Sequence, residues 1–245
     1  MAEKARGGVY VVEESPYGVA AGVAPPKETF KFAASLLQSM APETHGTLLD
    51  IGCANGAFIH YLCTSFPKWK FTGIDITPGF VEVANRLELP NASFHASDLF
   101  KVEGRFDVVT CIGTISMFDD CEPVLAKMLE LCKPGGVVLA DGFFNASNLD
   151  VKIEYRENIS GQATPWHYAF NHFSRSRVEA WFSALGLDLQ FHEVPFNVDL
   201  PRDLTRPSIA ASAWTFRDES GKRILTTPMG VIANTTMLVA KNRAA

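Results

Sequence analysis

The chain has 245 residues, 47% of them hydrophobic and 20% charged, with a formal net charge of −5. That balance suits one large α/β domain with a substantial core and excludes a disordered or fibrous chain. Phosphate binding depends on clustered Lys and Arg, and the nearest approach to a cluster is Arg175 with Arg177, so a nucleic-acid partner is disfavoured.

The first residues, MAEKARGG, carry no apolar stretch behind their charges and do not read as a secretory signal. No run reaches the length of a membrane span, so no membrane partner is expected. Cys53, Cys63, Cys111, Cys121 and Cys132 sit in apolar patterns without a CxxC pair. They read as reduced packing thiols of a cytoplasmic protein, with no zinc site.

Residues 1–26 hold Gly, Pro and Tyr with few periodic apolar positions, and read as an N-terminal arm or lid. Residues 27–245 read as a single domain. Helical spacing predicts a first helix over 27–40, ended by Pro42 and Gly46. Short apolar runs follow at 47–51, 69–74, 92–96, 106–112 and 136–141, with helix-like stretches near 56–65, 78–88 and 120–132 between them. Such alternation implies parallel strands with crossover helices, a doubly wound sheet. The fourth and fifth runs are nearly continuous Val, Ile and Leu, as in strands covered on both faces.

Residues 143–172 break the rhythm and read as an inserted cover over the carboxyl edge of the sheet. A helix is predicted at 174–185, capped by Ser174 and stopped by Gly186. A strand at 187–195 comes next. A hairpin over 210–227 turns at Asp218–Gly221 inside a second cap-like segment, 197–230, and a last strand covers 231–240.

The sharpest signal is the run Leu48-Leu49-Asp50-Ile51-Gly52-Cys53-Ala54-Asn55-Gly56, an apolar strand running into a glycine-bearing turn and then a helix. Such glycines permit positive φ and let a ligand approach the backbone. Ligands of open α/β sheets bind at strand carboxyl ends, so this turn should floor a cofactor site. Its spacing is Asp-x-Gly-x-x-x-Gly. A dinucleotide fold wants Gly-x-Gly-x-x-Gly, and a phosphate loop wants Gly-Lys-Ser/Thr. The strand-end acid Asp50 suits an ammonium or sulfonium group better than a pyrophosphate.

Asp75 ends the second strand, where a carboxylate can accept from two ribose hydroxyls, although a plain strand-end turn also fits. Asp98 ends the third strand, in SFHASDLF, where it suits an adenine amine or a helical cap. Three acids at three successive strand ends, together with the turn, closely resemble the class I S-adenosylmethionine-dependent methyltransferases of the small-molecule type. The resemblance covers roughly residues 46–142. FDVVTCIG is similar to the family's fourth strand, and Lys133-Pro134-Gly135-Gly136 to the turn into its fifth.

The resemblance implies a Rossmann-like, seven-stranded, mostly parallel sheet with an antiparallel last strand. It implies S-adenosyl-L-methionine as cofactor, with S-adenosyl-L-homocysteine as product. Gly52, Cys53 and Ala54 would contact the methionine moiety, with Asp50 and Gly56 shaping that turn. Asp75 would hold the ribose. Ile76 and Leu99 would sandwich the adenine, with Ser97 beside Asp98 at its amine. Cys111, Ile112 and Gly113 would line the path to the methyl group. Many small-molecule members carry a His where this chain has Ser116, so no base carries over there.

His167 and His172, in WHYAFNHFS, are the candidate bases, each of which could equally satisfy a local hydrogen bond. Tyr17, Ser116, Phe118, Phe143, Phe144, Trp166, Tyr168 and Phe170 are candidates to line an acceptor pocket, the aromatic ones being equally compatible with ordinary core, and Tyr10 shares the arm with Tyr17. No metal-ligand spacing is present, and Asp119-Asp120 reads as a helix cap. The expected activity is methyl transfer to an O or N atom of a small organic metabolite. A nicotinamide-dependent oxidoreductase and a non-catalytic adenosyl-ligand binder are the alternatives. The oligomeric state stays open, a homodimer included.

Overall fold

The computed structural model describes residues 18, 25–41, 45–156, 158, 159, 161–202, 213–226 and 235–243. Tyr10, Tyr17 and nearly all of the expected arm lie outside them, as do the start of the expected last strand and parts of the 197–230 segment.

Helix α1 (Glu28–Met40) leads into strand β1 (Thr47–Ile51), and α2 (Ala57–Ser65), β2 (Lys70–Asp75), α3 (Pro78–Asn85) and β3 (Ala92–Ala96) follow. Then come β4 (Phe106–Cys111), α4 (Cys121–Leu131) and the long β5 (Cys132–Asn145). The expected cover holds two short ladders. In one, β6 (Glu154–Tyr155) pairs with β9 (His167–Tyr168); in the other, β7 (Asn158–Ile159) pairs with β8 (Gln162–Ala163). The chain continues through β10 (His172–Ser174), α5 (Arg175–Ala184), β11 (Leu189–Glu193), the hairpin β12 (Trp214–Arg217) with β13 (Arg223–Thr226), and β14 (Thr236–Lys241).

The main sheet runs β11-β14-β5-β4-β1-β2-β3, with β10 added beside β5. Strands β1 to β5 are mutually parallel, and β14 enters antiparallel between β5 and β11. The expected mostly parallel sheet with an antiparallel last strand is therefore present. It has eight strands rather than seven, because β10, within the 143–172 and 174–185 boundary region, pairs with residues Phe143 to Asn145.

Side chains alternate across each strand, so neighbouring residues feed two cores. Leu48, Val108, Val137, Leu139 and Val239 pack under α1 and α2 against Phe30, Leu37, Phe58 and Leu62. Leu49, Val109, Val138, Ala140 and Leu238 pack under α4 and α5 against Leu125, Met128, Val178 and Phe182. Burial on both faces is what the unbroken apolar runs of β4 and β5 encode. The caps follow the sequence: Ser174 Oγ accepts from Arg177 N at 3.3 Å, and Asp120 Oδ1 from Glu122 N at 3.1 Å. Helix α3 stops at Asn85, short of the expected 88; Glu88 has φ +49° and Pro90 follows two residues later. Among the described residues no helix is long and apolar enough to cross a membrane.

Candidate functional site

The connections from β1 run outward to β2 and β3, whereas β4 returns to the other side of β1. The crevice at that reversal is where open α/β sheets bind ligands. The cavity found there is walled by the loops after β1, β2, β3 and β4 and by the start of α1.

The loop after β1 is knit to β2. Gly52 N and Cys53 N both donate to Ile74 O, at 2.8 and 2.9 Å. Gly52, Ala54 and Gly56 have φ of +73°, +46° and +76°. Positive φ explains glycine at two of these positions. Gly52 has a second constraint: a Cβ built there would lie 2.2 Å from Thr114 Oγ1. The β1 and β4 loops meet backbone to side chain at that point.

Asp75 closes the same loop. Its Oδ2 accepts from Ala54 N and its Oδ1 from Thr77 N, each at 2.9 Å. An ionised carboxylate offers about four acceptor sites. Two backbone donors leave capacity for a ligand's hydroxyls. Asp98 Oδ1 accepts from Phe100 N at 3.1 Å, capping the turn Leu99–Lys101 as the second sequence reading allowed, and Asp98 also lines the cavity.

Asp50 is only 2% exposed and receives Thr110 Oγ1 at 2.7 Å. Burial is the main cause that raises its pKa to about 7; the Thr110 hydrogen bond opposes this, and Asp75 and Asp141 add to it. Burial likewise pushes the Cys53 and Cys111 thiols far up, which disfavours the thiolate at both.

Of the residues expected from sequence, Asp50, Gly52, Cys53, Ala54, Asp75, Ile76, Ser97, Asp98, Leu99, Ile112, Gly113 and Phe118 line this one cavity. Gly56 and Cys111 do not. Gly56 is the left-handed start of α2, where a Cβ would meet the Phe94 ring at 2.9 Å. Cys111 is wholly buried with the α4 core.

The expected acceptor group divides. Ser116 is buried, with its Oγ accepting from Phe143 N at 3.0 Å. Phe143 stacks on His172, with ring centroids 4.9 Å apart. Trp166 and Tyr168 are 60% and 45% exposed, with the Arg156 guanidinium over the Trp166 ring. His172 is 8% exposed and off the cavity, and burial lowers its pKa below the usual imidazole value. For His167 only the backbone lies within the description, paired with Tyr155.

Sequence reasoning missed Lys27, Thr29 and Phe30 from the start of α1, and Thr114 and Met117; Phe170, expected among the acceptor-pocket aromatics, lines the cavity, whereas Phe144 packs in the core under α4 and α5. Phe170 arrives because Asn171 N donates to Ser116 O and Asn171 Nδ2 to Phe118 O, both at 2.7 Å. The only signal for it was the aromatic density of the cover.

Residues 49–138 match the family model described as "Methyltransferase domain". A trans-aconitate 2-methyltransferase of Deinococcus radiodurans is 29% identical over 42% of this chain and 40% of its own length. The chain thus spans well under half of that relative. A ubiquinone biosynthesis O-methyltransferase of Coxiella burnetii is 27% identical over 64% of this chain and 73% of its own length. The S-adenosylmethionine-bound structure of CalS10, an amino pentose methyltransferase from Micromonospora echinaspora, shares the fold at a TM-score of 0.54 and 18% identity, over 90% of this chain and 92% of that one. The strand order is that of the Rossmann-like methyltransferase fold, and residues 49–138 are similar to a methyltransferase domain.

Proposed function

We propose that the chain is an S-adenosylmethionine-dependent methyltransferase acting on an O or N atom of a small organic metabolite. One observation carries this: the acids Asp50, Asp75 and Asp98, from three successive strand ends, open with the Gly52 turn onto one cavity. Among the described lining residues three carboxylates stand against the single cation Lys27. That balance repels a pyrophosphate and suits a cationic amino-acid nucleoside. The cradle fits as well, because Gly52, at φ +73°, lines the cavity with no side chain of its own, so a ligand there meets bare backbone.

When bound, such a donor supplies a methyl group already activated by a sulfonium charge. Asp75 would hold the ribose hydroxyls, Asp98 with Ile76 and Leu99 the adenine, and the 52–54 backbone the methionine part. Met117, Phe118 and Phe170 form an apolar wall next to Ile112, Gly113 and Thr114. They would exclude water and set the acceptor in line. Proximity and orientation can contribute up to about 7–11 kcal/mol in ideal cases. The O-methyltransferase among the relatives supports an oxygen acceptor.

The test is calorimetric titration of the whole chain with S-adenosylhomocysteine and with NAD+. We expect binding of the first alone, weakened about tenfold or more by Asp75→Ala, since a lost pair of hydrogen bonds to a charged acceptor is worth about 1.5–3 kcal/mol each. Binding of NAD+ instead, or an unaltered Asp75→Ala affinity, would overturn the assignment.

A further inference from the structure

A second acid lies beneath the cavity. Asp141, near the end of β5, is 3% exposed. Strand alternation puts it on the α1 side with Leu139 and Val137, the side that also carries Leu48, Asp50, Val108 and Thr110. Strand β4 runs between β1 and β5, so the two carboxylates flank its end. Each takes a donor from β4 or the turn after it. Thr110 Oγ1 donates to Asp50 Oδ1 at 2.7 Å, and Gly113 N donates to Asp141 Oδ1.

Gly113 is itself a cavity residue with φ +74° and open space where a Cβ would stand. Its neighbour Thr114 is the residue that meets Gly52. Asp141 therefore holds the turn that forms one wall of the site. The charged and titratable groups near the pair are Lys27 at the start of α1, Asp75 from β2 and the Cys53 thiol, with the Cys111 thiol close by on the opposite face of β4. Lys27 favours the ionised form of Asp141, and the other acids disfavour ionisation of Asp50. Burial, the largest cause for both, raises Asp50 to about 7 and Asp141 to about 6.

We propose that Asp141 is a positioning and specificity-determining residue: through Gly113 it fixes the cavity wall, and with Asp50 it forms an anionic floor that favours a sulfonium ligand over its thioether counterpart. This rests on the function proposed above. A cationic ligand stabilises the ionised pair, and the ionised fraction rises as pH climbs through 6 to 7. S-adenosylmethionine should thus gain affinity relative to S-adenosylhomocysteine between pH 5.5 and 8. The two share their amino acid, ribose and adenine, so the ratio isolates the charge at sulfur.

Asp141→Asn keeps an oxygen for Gly113 N and removes the charge, whereas Asp141→Ala removes both. Calorimetry of the whole chain with each ligand, without acceptor, reads the effect. We expect Asp141→Asn to lower the affinity ratio about seven- to fiftyfold at pH 8, the scale of one charge at roughly 7 Å in a medium of effective dielectric 20–40. Its affinity for S-adenosylhomocysteine should stay near that of the unaltered chain, and Asp141→Ala should weaken both ligands. An unchanged ratio in Asp141→Asn, or equal weakening of both ligands by it, overturns the proposal. So does a pH-independent ratio in the unaltered chain, a measurement that needs no variant to fold. If the unaltered chain binds neither ligand, the underlying functional reading falls too, a result distinct from the others.

Discussion

Gly52→Ala tests the geometry of the site most directly. The new methyl carbon would sit 2.2 Å from Thr114 Oγ1, 2.6 Å from its Cγ2 and 2.8 Å from its Cβ. Rotating Thr114 about χ1 can move the first two atoms but not the third, so backbone must give. Overpacking of this kind costs about 1–3 kcal/mol. Alanine at φ +73° adds roughly 1–2 kcal/mol of left-handed strain. The sum, about 2–5 kcal/mol, is a large share of the ~5–15 kcal/mol typical of a domain. Urea unfolding should show a lower midpoint with an unaltered slope, and S-adenosylhomocysteine affinity should fall as well. The double variant Gly52→Ala, Thr114→Gly separates the two costs. Steric relief should make it less destabilised than the sum of its parts by about 1–3 kcal/mol, leaving the φ strain in place. A Gly52→Ala stability within about 0.5 kcal/mol of the unaltered chain would show that the β1 and β4 loops do not meet as described.

Two other outcomes are expected. Asp50→Asn should make the apo chain more stable at pH 8, because a carboxylate whose folded pKa is raised from 3.8 to about 7 stabilises least once ionised; stability from this group falls as pH rises from about 4 to 7, by about 2–4 kcal/mol at most. Thermal melting of both proteins at pH 5 and pH 8 checks the sign, and a variant less stable than the unaltered chain at pH 8 would refute it. Arg177→Met breaks a bridge from α5 to Asp120, Glu122 and Asp150, which the guanidinium joins in one network. The site is a third exposed, so a loss of about 1–2 kcal/mol in urea midpoint is expected, shrinking in high salt, with ligand affinity untouched.

The sheet was legible because each parallel strand is a short apolar run bounded by turn chemistry. The 47–51 and 92–96 runs match β1 and β3 at both ends, and Ser174 and Asp120 mark their helices by a local mechanism. Local signals failed where pairing is tertiary. The three-residue β10 has no period of its own and exists because residues 143 to 145 of β5 extend past β4 and offer a free edge to pair with. The cofactor-side residues were legible for a similar reason: each follows a strand, and a strand end fixes where its next side chain points. The acceptor side obeys no such rule. Within the turn Ile115–Met117, Ser116 faces inward to Phe143 N while Met117 faces the cavity, a reversal that residue type alone does not announce. The aromatic cover likewise contributes Phe170 through the two hydrogen bonds of Asn171, whereas Trp166 and Tyr168 point to solvent.

The acids divide by how they are held, and that division bears on what the site is for. Asp75 and Asp98 are stabilised locally by backbone N–H donors, and either could sit in a protein without a ligand. Asp50 and Asp141 are different. Each lies almost wholly out of water with one neutral donor among the described residues, and burial opposes the charge of both. Desolvating a carboxylate held by a neutral donor works against folding, with Lys27 offsetting part of this for Asp141, and an apolar pair of similar volume would serve the sheet better. The fold carries this penalty at the sheet edge where four loops leave a cavity. A cation entering there meets carboxylates whose desolvation was completed when the chain folded, so its attraction to them is not reduced by stripping water from them at the moment of binding.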